Sequence, residues 1–206
     1  MKIRIAAADD VDAIVGVHIA AFPGFFLTSL GKHFLGELYL GFLKQSSGIL
    51  LVAENGGSLV GFAAGTTMPD SFFKVLRKTR GIFFLLKAIP AMLQNPLIVL
   101  RKVYSAIFYR GDSPTELNGG ALLSSIGVLP EVLGSSLGRQ LLTGFELEAA
   151  SRDSKFVYLT TDAVGNERVN NFYRKCGYRE ESRFNQQAIR PMLRYIKDVA
   201  YDPCTT

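Results

Sequence analysis

The hydrophobic pattern changes period several times along the chain, and each change predicts an element. Residues 3–6 read as a short strand. Asp9 or Asp10 then stands where a helix cap belongs, ahead of an apolar-rich helix over 11–21. Pro23-Gly24 ends that helix. Leu30, Phe34, Leu38 and Phe42 recur every four residues and predict a second helix over 28–44. Two apolar runs, 49–54 and 58–67, flank Asn55-Gly56-Gly57 and read as a β-hairpin, because these turn residues tolerate positive φ. Farther on, 121–128 reads as strand, 130–136 as loop and 137–150 as helix. Residues 155–161 form a strand rich in β-branched and aromatic side chains, and 166–176 a helix. Gly177 is placed to cap that helix in the left-handed region, with Arg174 and Lys175 in its last turn. Residues 178–184 and 190–196 read as closing strands. Helices, then a hairpin, then strand–helix–strand–helix predict an α/β (α+β) domain around a mixed sheet.

Residues 68–117 interrupt this alternation. The stretch 72–86 mixes apolar and basic residues, Pro90 and Pro96 cut the chain beyond it into pieces, and Asn95-Pro96 opens a candidate helix reaching about residue 109. Lys87 and the two prolines leave no apolar run of the ~20 residues a membrane span needs. Helices lying over the core or on a membrane surface are expected instead. Connections this long usually carry function or structure of their own.

Charge sharpens that expectation. The net charge is +5, yet 71–111 holds eight basic residues and no acidic one, leaving 15 basic against 18 acidic elsewhere. An anionic partner is expected at this segment. The other bulk properties mainly exclude. A chain of 206 residues can bury the core of one domain, 1–206. A composition 48% hydrophobic and 20% charged excludes a disordered chain. Cys176 and Cys204 give neither a disulfide framework nor a zinc spacing, so a reducing compartment, the cytoplasm, is expected and no metal is. Residues 1–12 lack the apolar core of a signal peptide.

Two motifs carry candidate chemistry. Leu133-Gly134-Ser135-Ser136-Leu137-Gly138-Arg139 joins an apolar strand to a helix. A Gly-rich turn opening a helix offers unpaired N–H groups and the positive end of the helix dipole to a phosphate. Downstream, Asn166 is followed seven residues later by Tyr173, and Tyr173 four residues later by Gly177-Tyr178. Seven residues make about two helical turns, so Asn166 and Tyr173 share a face.

Together these motifs resemble the GCN5-related N-acetyltransferase (GNAT) family, weakly over 1–67 and more firmly over 119–196. The resemblance implies a mixed, mostly antiparallel central sheet flanked by helices, with a helical insertion between the third and fourth strands at about 68–117. It implies acetyl-CoA as the acyl donor. The strand over 124–128 would splay from its neighbour, so that the backbone of Ile126 and Val128 pairs with the pantetheine arm. Leu133, Gly134, Ser135, Ser136, Gly138 and Arg139 would surround the pyrophosphate. Asn166 would contact pantetheine, and the Tyr173 hydroxyl would protonate the departing thiolate. The chain departs from the family at Leu133, where Gln or Arg is usual, and at Ser136, where Gly or Ala is usual; Gly134 and Gly138 keep the pattern.

The reaction implied is direct attack of an amine through a tetrahedral intermediate, with backbone N–H near 126–128 stabilising the oxyanion. The strand over 121–128 has no carboxylate to act as base. His18, His33, Glu37 and Asp162 are candidates, and each also reads as a surface or capping residue. An acceptor of low basicity fits that lack: the primary amine of a small molecule, such as an amino sugar of surface-polysaccharide biosynthesis. The alternatives are a protein N-terminal or polyamine acetyltransferase, and a catalytically inactive GNAT-shaped binding protein. Peripheral membrane contact through the basic insertion and a homodimer remain open. Nucleic acid is not expected, since the insertion's aromatics lie among aliphatics rather than on a polar stacking surface.

Overall fold

The computed structural model describes residues 1–79, 117–186 and 190–199. Strand β1 (Lys2–Ile5) leads through a 3-10 turn (Ala8–Asp10) to helix α1 (Val11–Ala21), the short α2 (Phe26–Ser29) and α3 (Lys32–Lys44). The hairpin β2 (Gly48–Asn55) and β3 (Ser58–Thr66) comes next, and a helix over 69–79, here α4, leaves it. Strand β4 (Gly120–Val128), a 3-10 turn (Pro130–Val132), α5 (Leu137–Ala150), β5 (Phe156–Asp162), α6 (Glu167–Lys175), β6 (Arg179–Gln186) and β7 (Arg190–Asp198) complete the described chain.

The strands form one seven-stranded sheet in the order β1-β2-β3-β4-β5-β7-β6. Every neighbouring pair is antiparallel except β4 and β5, which are parallel. Helix α5 makes the crossover between them, as parallel strands require. The period-two alternation of the strands separates the core into two layers. On one face Leu50, Val52, Phe62 and Ala64 meet Ile14, Phe34, Tyr39 and Phe42 of α1 and α3. On the other, Leu51, Ala63, Leu123, Val157 and Leu159 meet Leu137, Leu141 and Phe145 of α5. Helix α6 belongs to this second layer through Tyr173.

The element order agrees with the pattern in the sequence, with two corrections. The helix expected over 28–44 is broken, because Gly31 takes φ +89°, a conformation only glycine adopts without strain, and so separates α2 from α3. Asp10 does not cap α1 with its side chain. Its carboxylate accepts the Ala7 N–H at 2.7 Å and pairs with Arg4 at 2.6 Å, and Arg4 also holds Glu54 on β2. Arg4 keeps the Asp10 carboxyl below its usual range. The closing strands pair as β5-β7-β6, so β7 enters between its two predecessors.

Only the start of the insertion lies within the described residues. There α4 packs on α3: Phe72 stacks on Phe42 with centroids 4.6 Å apart, and Leu76 fills the space over Gly41. Lys74 and Lys78 are exposed. The candidate helix beginning at Asn95-Pro96 and the basic residues of the insertion from Arg80 onward lie outside the described residues.

Candidate active site

Strands β4 and β5 pair over three residues only, Gly120–Leu122 against Phe156–Tyr158, although β4 continues to Val128 and β5 to Asp162. The sheet therefore opens at the carboxyl ends of its two parallel strands. On its other side β4 stays paired with β3 up to Val128, with an irregularity that leaves Ser124 as an extra residue between Leu123 and Ser125. The Leu129 N–H bonds to Val60 O on β3 at 2.8 Å. Backbone groups alternate sides along a strand, so the N–H and C=O groups of Ile126 and Val128 face the opening. These are the two residues expected to offer a strand edge.

The turn after β4 stands at one end of this opening. Its hydrogen bonds are partly internal: the Leu133 N–H reaches Pro130 O, and the Ser135 N–H and hydroxyl both reach Val132 O. The Ser135 oxygen in turn accepts the Leu137 N–H at 3.3 Å, so this hydroxyl braces the turn and is not a spare donor. The Ser136 oxygen accepts the Gln140 side-chain N–H at 2.7 Å, which leaves its own proton available. Gly134 takes φ +89°, which turns the chain into α5. Among the described residues, the N–H groups of Gly134, Ser136, Gly138 and Arg139 have no bonded partner in the protein. The Arg139 side chain is exposed and has no ion pair among the described residues. A Cβ at Gly138 would meet only the Phe172 ring, at 3.6 Å, so the front of the turn is open. Leu133 is 52% exposed and contributes an apolar surface where a polar brace was expected.

Helix α6 forms the far wall. The Asn166 side chain donates to the Thr161 hydroxyl at 2.6 Å, and Asn170, one turn on and buried, donates to Asp162 O at 3.1 Å. Both asparagines thus tie α6 to the diverging end of β5. Gly177 takes φ +87° and the Tyr178 N–H reaches Tyr173 O at 3.1 Å, the C-terminal cap the sequence predicted. Tyr173 is 6% exposed and packs against Phe172, Tyr178 and Tyr195, with centroids 5.3 to 5.9 Å away. Burial first, and Cys176 second, raises its phenol well above the usual value, so it stays protonated near neutral pH.

The base candidates separate clearly. Asp162 is held in a two-pronged ion pair by Arg190. His33 is exposed on α3, and Glu37 is half-buried with a partner of its own. His18 is 3% exposed, its Nδ1 lies 2.6 Å from the Tyr39 hydroxyl, and burial lowers its pKa to about 4. Tyr39 is wholly buried and has the Ser125 hydroxyl within hydrogen-bonding reach. Sequence reasoning missed Tyr39 and Ser125. Tyr39 sits in the apolar stripe of α3, where its ring predicts core, and only the pairing of α1 with α3 brings it to His18.

Residues 102–178 match the model of the acetyltransferase (GNAT) family. Over that stretch the chain is similar to a GNAT acetyltransferase domain. Its fold agrees with solved structures of low sequence identity. The ribosomal-protein-alanine N-acetyltransferase of Brucella melitensis superposes with TM-score 0.63 at 17% identity, over 97% of this chain and all of that one. An N-acetyltransferase from Staphylococcus aureus gives 0.62 at 15% identity, over 96% and 97%. Aminoglycoside 6'-acetyltransferase type Ii gives 0.62 at 17% identity, over 98% and 100%. No curated protein sequence matches the chain. The opened β4/β5 pair agrees with the splay that the resemblance to this family implies. Among the described residues no helix is long and apolar enough to cross a membrane.

Proposed function

We propose that this GNAT domain takes its acetyl group from acetyl-CoA and gives it to the primary amine of a small molecule of the amino-sugar class. The observation that carries the donor half is the opening between β4 and β5, with a turn of four unbonded N–H groups after β4. A pyrophosphate fits the N–H groups of Gly134, Ser136, Gly138 and Arg139, at the positive end of α5, with Arg139 free to add charge. Leu133 and the Ser135 hydroxyl shape the turn without donating. Ile126 and Val128 offer an amide-bearing pantetheine arm the edge it would pair with, as an added strand does. Asn166, anchored to Thr161, closes the other side.

Acetyl-CoA, when bound, supplies an activated acyl carbonyl and a thiolate leaving group. The chain's own contribution is placement and charge. N–H groups of the splayed strand stabilise negative charge developing on the acyl oxygen. The Tyr173 hydroxyl, neutral and buried, donates its proton on the α5/α6 side, where the leaving group departs. The amine then approaches from the opposite face, lined by α1 and α3.

The acceptor class rests on two features. No carboxylate lies on β4 and Asp162 is spoken for by Arg190, so an amine already partly neutral suits the site better than a lysine side chain. The basic insertion argues against a polycationic acceptor. One structural neighbour is named for an aminoglycoside and another for a ribosomal protein, so the fold is compatible with either kind of acceptor. Calorimetry with acetyl-CoA tests the donor. Thiol release with glucosamine, spermidine and a peptide with a free N-terminal alanine tests the acceptor. Fastest turnover with the peptide or with spermidine would refute the amino-sugar reading.

A further inference from the structure

A string of polar side chains crosses an otherwise apolar layer and ends at the opening. His18 on α1 is surrounded by rings: Phe22 at 4.9 Å, Phe62 at 6.1 Å and Tyr39 at 5.8 Å between centroids. Its one polar contact among the described residues is Tyr39, and its Nε2 is buried without a partner there. Tyr39 reaches Ser125. Ser125 pairs with Ala64 of β3, whose side chain belongs to the α1/α3 layer, so its hydroxyl lies on that face of β4. Ser125 is half-buried, next to the extra residue Ser124, just beyond the point where β4 leaves β5. A buried polar string costs stability at any link left unpaired, as at Nε2 here. This one is retained in the core and has its wet end at the opening.

The direction of the string follows from the tautomer of His18. The contact between His18 and Tyr39 is 2.6 Å, shorter than the roughly 2.7–3.2 Å of N–H donors and within the range of O–H donors. With the ring proton of His18 on Nε2, Tyr39 donates to Nδ1. The Tyr39 oxygen then accepts from Ser125, which leaves the lone pairs of Ser125 directed away from the core. We propose that the Ser125 hydroxyl accepts a hydrogen bond from the attacking nitrogen of the acceptor amine, and that Tyr39 and His18 are positioning residues that hold it in that orientation. An amine held by its N–H keeps its own lone pair free to point at the acyl carbon. The inference rests on the donor and the approach face given above, and it names a residue for the acceptor half.

The test uses the full chain, acetyl-CoA, and glucosamine as the amine, with thiol release in the absence of any amine as a second readout in which water takes the nucleophile's place. Ser125→Ala lowers kcat/KM for glucosamine, or the hydrolytic rate, by about 3- to 10-fold, the effect of one lost neutral hydrogen bond. Acetyl-CoA affinity by calorimetry stays unchanged, and Ser125→Thr, which keeps a hydroxyl, recovers most of the rate. Tyr39→Phe slows the same step, and the double variant is no slower than Ser125→Ala alone, because an unheld hydroxyl and a missing one fail together. In the free protein, the 15N shifts of His18 report the proton on Nε2. Wild-type rates in both readouts for Ser125→Ala, losses that add in the double variant, or a proton on Nδ1 each overturn the proposal. If wild type does not bind acetyl-CoA, the donor reading fails and this inference fails with it; normal binding with an unaffected Ser125→Ala rate removes only the inference.

Discussion

Acidification should weaken the fold through one side chain, His18. In the folded chain its pKa is lowered to about 4 from 6.5 by burial, and among the described residues no carboxylate bonds to it to compensate. The unfolded chain therefore binds a proton between pH 6.5 and 4 that the folded chain refuses, and stability falls as pH falls through that window. The full stabilisation is present above pH 6.5 and is gone below about pH 4. A depression of about 2.5 units corresponds to about 3 kcal/mol at most, and about 2–3 kcal/mol of it is lost between pH 7.5 and 4.5. For a domain of this size that is a fall in Tm of about 5–10 °C. The assay is thermal unfolding by circular dichroism from pH 8 to 4, for wild type and His18→Gln. The glutamine keeps a partner for Tyr39 and cannot titrate. Asp10, whose carboxyl is lowered by Arg4, also costs stability as pH falls toward the carboxylate range, but it does so in both proteins and cancels in the difference. Parallel Tm curves for the two proteins between pH 6.5 and 4 would refute the reasoning.

Other outcomes rest on the same geometry. Tyr173→Phe keeps the packed ring and should leave Tm and acetyl-CoA affinity nearly unchanged, while kcat falls by about 10²–10⁴-fold if protonation of the leaving group limits turnover. Gly138→Trp should weaken acetyl-CoA binding in calorimetry without unfolding the chain, since a Cβ there meets only the edge of Phe172; unchanged affinity would make the turn a mere connection. Gly134→Val should cost about 1–2 kcal/mol of stability, because φ +89° is strained for a β-branched residue, and a chemical denaturation curve reads this directly. Replacing Lys74 and Lys78 with Glu should raise the KM of an anionic amino sugar, by less as salt is added, and leave the KM of acetyl-CoA alone.

The sequence was most legible where one residue type dictates one conformation. Asn55-Gly56-Gly57 marked the hairpin and Gly177 the end of α6, because both places use positive φ. Helix α1 was bounded correctly by its apolar stripe and Pro23. The same logic failed at Gly31, where the four-residue spacing of Leu30 and Phe34 continued across a break and hid it. Strand order was not legible: nothing in the local pattern of β6 and β7 says that β7 lies inside. At the site, the turn and the Asn166–Tyr173 face were legible as spacings along one element. The His18–Tyr39–Ser125 string was not, because its members come from three elements and meet only when α1, α3 and β4 pack together. Asp162 could be named as a candidate base, but Arg190, 28 residues away, removes it by pairing across β5 and β7.

The short contact between β4 and β5 has a mechanical consequence. The described sheet consists of two antiparallel sets, β1-β2-β3-β4 and β5-β7-β6, joined by three residue pairs and by the body of α5 beneath them. Each set is continuous in sequence, and the turn between α5 and β5 is the only described segment that crosses from one to the other. A chain cut in that turn, near Asp153, would yield two fragments that each hold a complete set of hydrogen-bonded neighbours and lack only the seam. Whatever fills the opening would then act as mortar between them, and reassembly of the cut halves would become a direct gauge of donor binding.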